Sequence, residues 1–246
     1  MHRLERTLKL VRRSGFHYFR SSMVSPPFWL KVNGELCRVA AGCEPGAGSC
    51  YSEVAVEDCY GVFNYARRAD PHVIVDIGAN LGMFSKLCSM LFPEADIYAY
   101  EPNPNPLTWL RENAAGTRIN VLPFAVRETS GFVNLDTTVD STIGTIKADG
   151  DLAVACIAAS KVADGRAIDL LKIDCEGSEW SILKDASLLR RSRELCLEYH
   201  LLDGNSVEEL TALIAQGGHR IVSLGNTKDG GRIGVINSVL QAPFAG

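Results

Sequence analysis

The sequence predicts an α/β protein organised around a nucleotide-binding strand, turn and helix. Residues 73–77 form a short apolar run rich in β-branched side chains, as in a buried strand. A loop with two glycines follows, and a helical pattern of apolar residues begins at Phe84. Glycine lets the backbone come close to a ligand, and the first turn of a helix offers free N–H groups. This loop is therefore the predicted ligand-binding centre of the chain.

Strand-like and helical patterns alternate along the rest of the core, which is typical of a mostly parallel sheet. Residues 131–159 alternate between apolar and polar side chains and predict an antiparallel hairpin region. Segments 220–223 and 233–236 flank a Lys-Asp-Gly-Gly turn and predict a terminal β-hairpin. Four further core strands are predicted at residues 96–100, 119–126, 168–173 and 195–200.

The 246 residues are expected to divide into a small N-terminal cap, residues 1–71, and a core domain, residues 72–246. Residues 1–22 carry six basic side chains against one acid, and their apolar residues fall on one helical face. Such a basic helix either packs on its own domain or contacts an anionic membrane surface or a partner. Its short apolar face favours packing on the domain. A second helix is predicted over residues 52–69.

Charge and hydropathy argue against a nucleic-acid-binding, a transmembrane or a secreted protein. The net charge of −4 argues against a general nucleic-acid surface. No apolar run approaches the roughly 18–20 residues that cross a bilayer, and the N-terminus lacks the apolar segment of a signal peptide. The sequence therefore predicts a cytoplasmic protein without a transmembrane segment or a nucleic-acid partner.

The eight cysteines are expected to be free thiols in a reducing compartment. Cys37, Cys43, Cys50 and Cys59 form a loose cluster without a Cys-x-x-Cys pair, the close spacing that structural zinc sites commonly use. The sequence therefore predicts no metal site.

The glycine loop has the pattern Asp76-x-Gly78-x-Asn80-x-Gly82, and Glu101 ends the next strand. An acid at the end of the first strand repels a pyrophosphate but suits an ammonium group, which disfavours an NAD-dependent oxidoreductase. An acid after the second strand can accept both ribose hydroxyls. A ribose, an ammonium group and no pyrophosphate together describe S-adenosylmethionine. Further candidate cofactor-binding residues are Ala79, Asn103, Ala125 and Val126.

Three motifs give the chain a resemblance to a known family. Asp-Ile-Gly-Ala-Asn-Leu-Gly at 76–82, Tyr-Glu-Pro-Asn-Pro at 100–104 and Leu-Leu-Lys-Ile-Asp-Cys-Glu-Gly-Ser-Glu at 170–179 follow in this order. In this order they resemble the FkbM family of S-adenosylmethionine-dependent methyltransferases, over roughly residues 72–200. The resemblance implies a Rossmann-like class I methyltransferase fold, with a seven-stranded, mostly parallel sheet and a C-terminal antiparallel hairpin. It also implies O-methylation of a hydroxyl on a sugar, a glycan or another natural product.

The candidate catalytic residues end the fourth and fifth core strands, which neighbour the first strand in this fold. Asp174 and Glu176 can orient the acceptor hydroxyl or hold a divalent ion through oxygen ligands, but two acids and one histidine are too few to assign a metal site. His200 is a candidate base because a histidine titrates near neutral pH. Lys172 is expected to pair with an acid such as Asp174. The alternative from another class is a non-catalytic nucleotide-binding or scaffolding module that keeps the fold.

Overall fold

The computed structural model describes residues 28–42, 44, 46–137, 145–147, 149–202 and 204–241. The predicted basic helix at residues 1–22 and Cys43 lie outside this part of the chain. The strands are β1 (Phe28–Val32), β2 (Glu35–Val39), β3 (Val73–Ile77), β4 (Asp96–Tyr100), β5 (Ile119–Leu122), β6 (Ala125–Arg127), β7 (Gly131–Asp136), β8 (Thr145–Ile146), β9 (Leu152–Ala158), β10 (Ile168–Ile173), β11 (Ser192–His200), β12 (His219–Lys228) and β13 (Ile233–Leu240). The α-helices are α1 (Ala47–Tyr51), α2 (Val62–Tyr65), α3 (Met83–Leu91), α4 (Pro104–Ala114), α5 (Glu179–Leu183), α6 (Ala186–Arg190) and α7 (Val207–Gln216).

A seven-stranded sheet in the order β12-β13-β11-β10-β3-β4-β5 forms the centre of the protein. The five strands from β11 to β5 are parallel, whereas β13 pairs antiparallel with both β11 and β12. This confirms the predicted fold class, including the terminal hairpin. Every residue of β3 and β10 is buried, as expected for central strands covered on both faces.

The carboxyl ends of the central strands bring the predicted site residues together. In the register of β10 with β3, Lys172 lies beside Asp76, and Ile173 lies beside Ile77. On the other side of β10, Ile173 pairs with Leu197, so the end of β11 extends past this point to His200. Because parallel strands end at the same edge of a sheet, these residues surround one crevice.

A second sheet, in the order β6-β9-β7-β8, forms the predicted antiparallel region at residues 131–159. The prediction of one strand over residues 119–126 is wrong, because the chain leaves the central sheet after Leu122 and enters the second sheet at Ala125. Pro123 lies at this break, and proline has no N–H to donate to a strand ladder.

The N-terminal segment packs directly on the core domain. The prediction of a helix through residues 52–69 is wrong, because α1 continues as a π-helix, Ser52–Glu57, and then stops. Asp58 and Gly61 have φ values of 55° and 70°, which end the helical path before α2 begins. The turn between them carries Tyr60, whose ring contacts Phe84 of α3 edge to face.

Two further properties concern the described residues as a whole. No disulfide joins any two of their seven cysteines. None of their helices combines the length and apolar character that a membrane crossing requires.

Candidate active site

The glycine loop after β3 passes close to the loop after β10. Gly78 has a φ of 76°, and a Cβ atom there would lie 1.7 Å from the carbonyl oxygen of Asp174. Only glycine permits this approach, which brings Asn80 and Asp174 to the same crevice. Gly82 plays a different part, because its missing Cβ leaves room for Leu110 of α4 and it does not line a cavity.

Asp76 and Lys172 form a buried ion pair beneath this loop. Lys172 Nζ lies 3.1 Å from Asp76 Oδ1 and donates a 2.7 Å hydrogen bond to the carbonyl oxygen of Gly78. Ser85 donates a hydrogen bond to Asp76 Oδ2. Burial lowers the pKa of Lys172, but the charges of Asp76 and Asp174 outweigh it and raise the pKa above its ordinary value. Asp76, predicted to meet an ammonium group directly, therefore lies behind the loop and holds Lys172.

Glu101 follows β4 and faces the crevice. Its two carboxylate oxygens accept hydrogen bonds of 2.8 Å from the backbone N–H groups of Asn80 and Asn103. Burial raises the pKa of Glu101 to about 7 despite these bonds. Asn103 is itself buried and caps α4, because its side chain accepts from the N–H of Asn105. Asn103 thus orders the Glu101 loop and does not line the crevice.

An apolar cleft extends from Glu101 along the second sheet. Ala125 and Val126, both predicted for the cofactor, line this cleft together with Phe124. Leu135 and Ile146 of the second sheet close its other wall. Apolar side chains beside a carboxylate suit a nucleoside, since the base can pack against the apolar side chains while the ribose meets the acid.

A second and larger cavity, of about 400 Å³, opens next to this cleft. Ala79 and Lys172 line it, as do Cys50 and Glu53 of the N-terminal segment and Lys228 of the terminal hairpin. The cavity and the cleft share one boundary, which is formed by Gly78, Asn80, Asp174 and Glu176.

Tyr60 joins two carboxyl groups at the floor of this cavity. Its hydroxyl lies 2.8 Å from Asp174 Oδ2 and 3.2 Å from Glu198 Oε2. Burial, followed by the charge of Asp174, raises the pKa of Tyr60 well above its ordinary value, so the phenol keeps its hydrogen. Burial and the charge of Asp174 also raise the pKa of Glu198.

His200 lies between two acids. Its Nδ1 is 3.1 Å from Glu179 Oε1, and its Nε2 is 3.2 Å from Glu176 Oε2. Burial lowers the pKa of His200, but the hydrogen bond and charge of Glu179 and the charge of Glu176 outweigh it and raise the pKa to about 9. An imidazole in this setting is protonated on both nitrogens at neutral pH. This state cannot accept a further proton, which opposes the predicted role of His200 as a base. Burial raises the pKa of Glu176 to about 7.

Sequence reasoning missed Tyr60, Glu198 and Lys228. Glu198 had a detectable signal, because side chains alternate along a strand and Glu198 therefore shares a face with His200. Tyr60 and Lys228 had none, since they come from segments far from the motifs and reach the cavity only through tertiary packing.

The sequence matches a protein family over most of its core. The model of the methyltransferase FkbM domain matches residues 76–221. A hexuronic acid methyltransferase, AglP, from Haloferax volcanii is 24% identical over 152 residues, which cover 58% of this chain and 62% of that protein. The match thus spans less than two thirds of the AglP protein. A 31-O-demethyl-FK506 methyltransferase, FkbM, from Streptomyces tacrolimicus is 28% identical over 215 residues, which cover 70% of this chain and 82% of that protein.

The fold also matches a solved structure. Magnesium protoporphyrin IX methyltransferase from Synechocystis, in a structure with bound S-adenosylmethionine, has a TM-score of 0.53 and 10% sequence identity. The match covers 96% of this chain and 97% of that one, and at this identity it concerns the fold alone. The family match includes the glycine loop and the acids after β10, and the chain belongs to the FkbM family of S-adenosylmethionine-dependent methyltransferases.

Proposed function

We propose that the protein transfers a methyl group from S-adenosylmethionine to a hydroxyl oxygen of a neutral small-molecule or glycan acceptor. The observation that carries this proposal is the boundary shared by the cleft beside Glu101 and the carboxyl-lined cavity. A sulfonium methyl group at this boundary would face an acceptor in the larger cavity.

The residues of the cleft fit the cofactor. Glu101 can accept the ribose hydroxyls, and Ala125 and Val126 form part of an apolar wall for the base. The close approach at Gly78 leaves no room for a side chain between the loop and Asp174. When bound, S-adenosylmethionine would supply an electrophilic methyl carbon, to which an acceptor oxygen bonds as the carbon–sulfur bond breaks and S-adenosylhomocysteine leaves.

The larger cavity is lined by carboxyl groups that can position an acceptor hydroxyl and take up its proton. Most of the catalytic help in such a displacement comes from aligning the two partners. Asp174, Glu176 and Glu198 offer oxygen atoms that can orient a hydroxyl and receive its proton as the new carbon–oxygen bond forms. Lys172 holds Asp76 and the Gly78 loop in place.

The charges of the cavity favour a neutral acceptor. Glu53, Asp174, Glu176 and Glu198 line it against two lysines, Lys172 and Lys228. Both lysines are already paired with acids, Lys172 with Asp76 and Lys228 with Glu53. The carboxylate of a hexuronic acid, the compound in the name of the Haloferax relative, would be repelled here, whereas the hydroxyl of a neutral acceptor would not.

The experiment uses S-adenosylmethionine with an isotope-labelled methyl group and matched panels of neutral sugars, uronic acids and hydroxylated natural products. We expect label in neutral acceptors, in a form that survives mild alkali, because an ether resists alkali and a methyl ester releases methanol. Transfer to uronate carboxyls only, or to nitrogen, would contradict the proposal. Calorimetry with S-adenosylhomocysteine tests the scaffolding alternative, since a scaffold that lacks the site would not bind it. A non-catalytic nucleotide-binding module would bind it and would transfer no label to any acceptor.

A further inference from the structure

The floor of the larger cavity gathers three potential metal ligands from the ends of β10 and β11. One ligand atom each from Asp174, Glu198 and His200 lies within 4.8 Å of the others. This is the only such group of three among the residues that the structure describes. Two carboxylates and one imidazole are donors that divalent cations such as Mg²⁺, Mn²⁺ and Zn²⁺ accept.

The two carboxyl groups lack full compensation from their neighbours. Asp174 Oδ2 and Glu198 Oε2 both lie within hydrogen-bond distance of the Tyr60 hydroxyl, which has a single hydrogen to donate. Lys172 Nζ stays 3.6 Å from Asp174 Oδ2, and Lys228 Nζ stays 3.6 Å from Glu198 Oε1. Lys172 lies closer to Asp76, and Lys228 lies closer to Glu53. Neither lysine therefore fully balances the charge of Asp174 or Glu198, and a further cation can do so.

A buried carboxyl group holds one ring nitrogen of His200 in place. Glu179 is completely buried, and its Oε1 accepts from the backbone N–H of Cys175 and lies 3.1 Å from His200 Nδ1. A carboxylate on Nδ1 is the usual outer contact of a metal-binding histidine, and it leaves Nε2, which lies 3.2 Å from Glu176 Oε2, as the nitrogen that can bind a cation. A cation at Nε2 takes the place of the contact with Glu176.

We propose that Asp174, Glu198 and His200 bind one divalent cation at the floor of the acceptor cavity. Its catalytic role rests on the proposed function: a cation at this place lowers the pKa of an acceptor hydroxyl and fixes its oxygen beside the boundary with the cofactor cleft. Cation binding itself depends only on the three ligands and requires no acceptor.

The test is a titration of the full chain with Mn²⁺, followed through the paramagnetic resonance signal of the free ion. We expect one bound Mn²⁺ per chain and at least tenfold weaker binding in both Glu198→Gln and His200→Gln. Spin-echo modulation by a histidine nitrogen should be present in the wild type and absent in His200→Gln. The matched control is Glu194→Gln, since Glu194 lies on the same strand but pairs with Arg68. Its Mn²⁺ affinity should equal that of the wild type.

Calorimetry with S-adenosylhomocysteine on each variant separates the possible failures. Retained binding shows that a variant is folded and that its cofactor cleft is intact. If the wild type binds S-adenosylhomocysteine but no Mn²⁺, or if both ligand variants bind Mn²⁺ as the wild type does, the cation site is refuted and the proposed methyl transfer stands. If S-adenosylhomocysteine does not bind at all, the proposed function fails independently of the Mn²⁺ result.

Discussion

The hydroxyl of Tyr60 lies 2.8 Å from Asp174 Oδ2, although the two residues are 114 positions apart in the chain. The contact joins the N-terminal segment to the loop that follows β10. It shows that the N-terminal segment, and not only the residues of the family motifs, contributes to the larger cavity.

Removing this hydroxyl should slow methyl transfer and spare the cofactor cleft. Tyr60→Phe keeps the ring against Phe84 but loses the hydrogen bond to the carboxyl pair. A hydrogen bond to a charged group contributes about 1.5–3 kcal/mol, so we expect turnover to fall about tenfold to a hundredfold. Steady-state kinetics should show this loss, while calorimetry shows unchanged affinity for S-adenosylhomocysteine.

The matched control is Tyr65→Phe, because Tyr65 lies in the same segment and its hydroxyl meets only a backbone oxygen at 3.5 Å, outside both cavities. Equal losses of turnover in the two variants would contradict the role given to Tyr60.

Affinity for S-adenosylhomocysteine should rise with pH because of Glu101. Burial raises the pKa of this acid to about 7, and the ionised form is the better acceptor for ribose hydroxyls. Below that pKa, affinity should fall by up to about tenfold per pH unit, because binding then also requires loss of a proton. Calorimetry from about pH 5.5 to about pH 8.5, which extends roughly 1.5 units to either side of this pKa, measures how affinity changes with pH.

Glu101→Gln is the control for this pH profile. The variant should bind more weakly, and the part of the slope centred near pH 7 should disappear. An identical slope in wild type and variant would assign the pH dependence to other groups.

Asp76→Asn should lower the free energy of unfolding by about 3 kcal/mol, because it leaves the buried Lys172 without its closest anionic partner. Asp96→Asn is the matched control from the neighbouring strand. Asp96 pairs with Arg118 and Arg166, whose side chains are 52% and 43% exposed, so its loss should cost less than about 1 kcal/mol. Urea unfolding of both variants measures the difference, and equal losses would show that burial does not set the strength of the Asp76 pair.

Gly78→Ala should abolish binding of S-adenosylhomocysteine. Its Cβ would collide with the carbonyl oxygen of Asp174, so the loop after β3 or the loop after β10 must move. Gly116→Ala separates this clash from backbone strain, because Gly116 has a similar φ of 71° and open space around it. The control should lose about 1 kcal/mol of stability and bind S-adenosylhomocysteine normally. Normal binding by Gly78→Ala would show that the close approach is not needed.

The sequence by itself determined the central fold and the edge of the sheet at which the candidate site residues meet. Local patterns carry this information: apolar runs mark buried strands, glycines mark the loop, and acids follow the strands that end at one edge. Residues 73–77, the loop through Gly82 and Glu101 were therefore predictable without any contact being known. The same local signals gave wrong predictions at two places. The predicted strand over residues 119–126 is interrupted at Pro123, and the predicted helix over residues 52–69 is interrupted before Tyr60.

Only the tertiary structure decided which residues meet at the larger cavity. Asp76 has the sequence position of a ligand-binding acid, but the register of β3 and β10 places Lys172 beside it and buries the pair. Tyr60, Glu198 and Lys228 come from three separate segments, and no local pattern specifies which of them meet. The protonation of His200 likewise depends on Glu176 and Glu179, because a pKa responds to charges that are near in space.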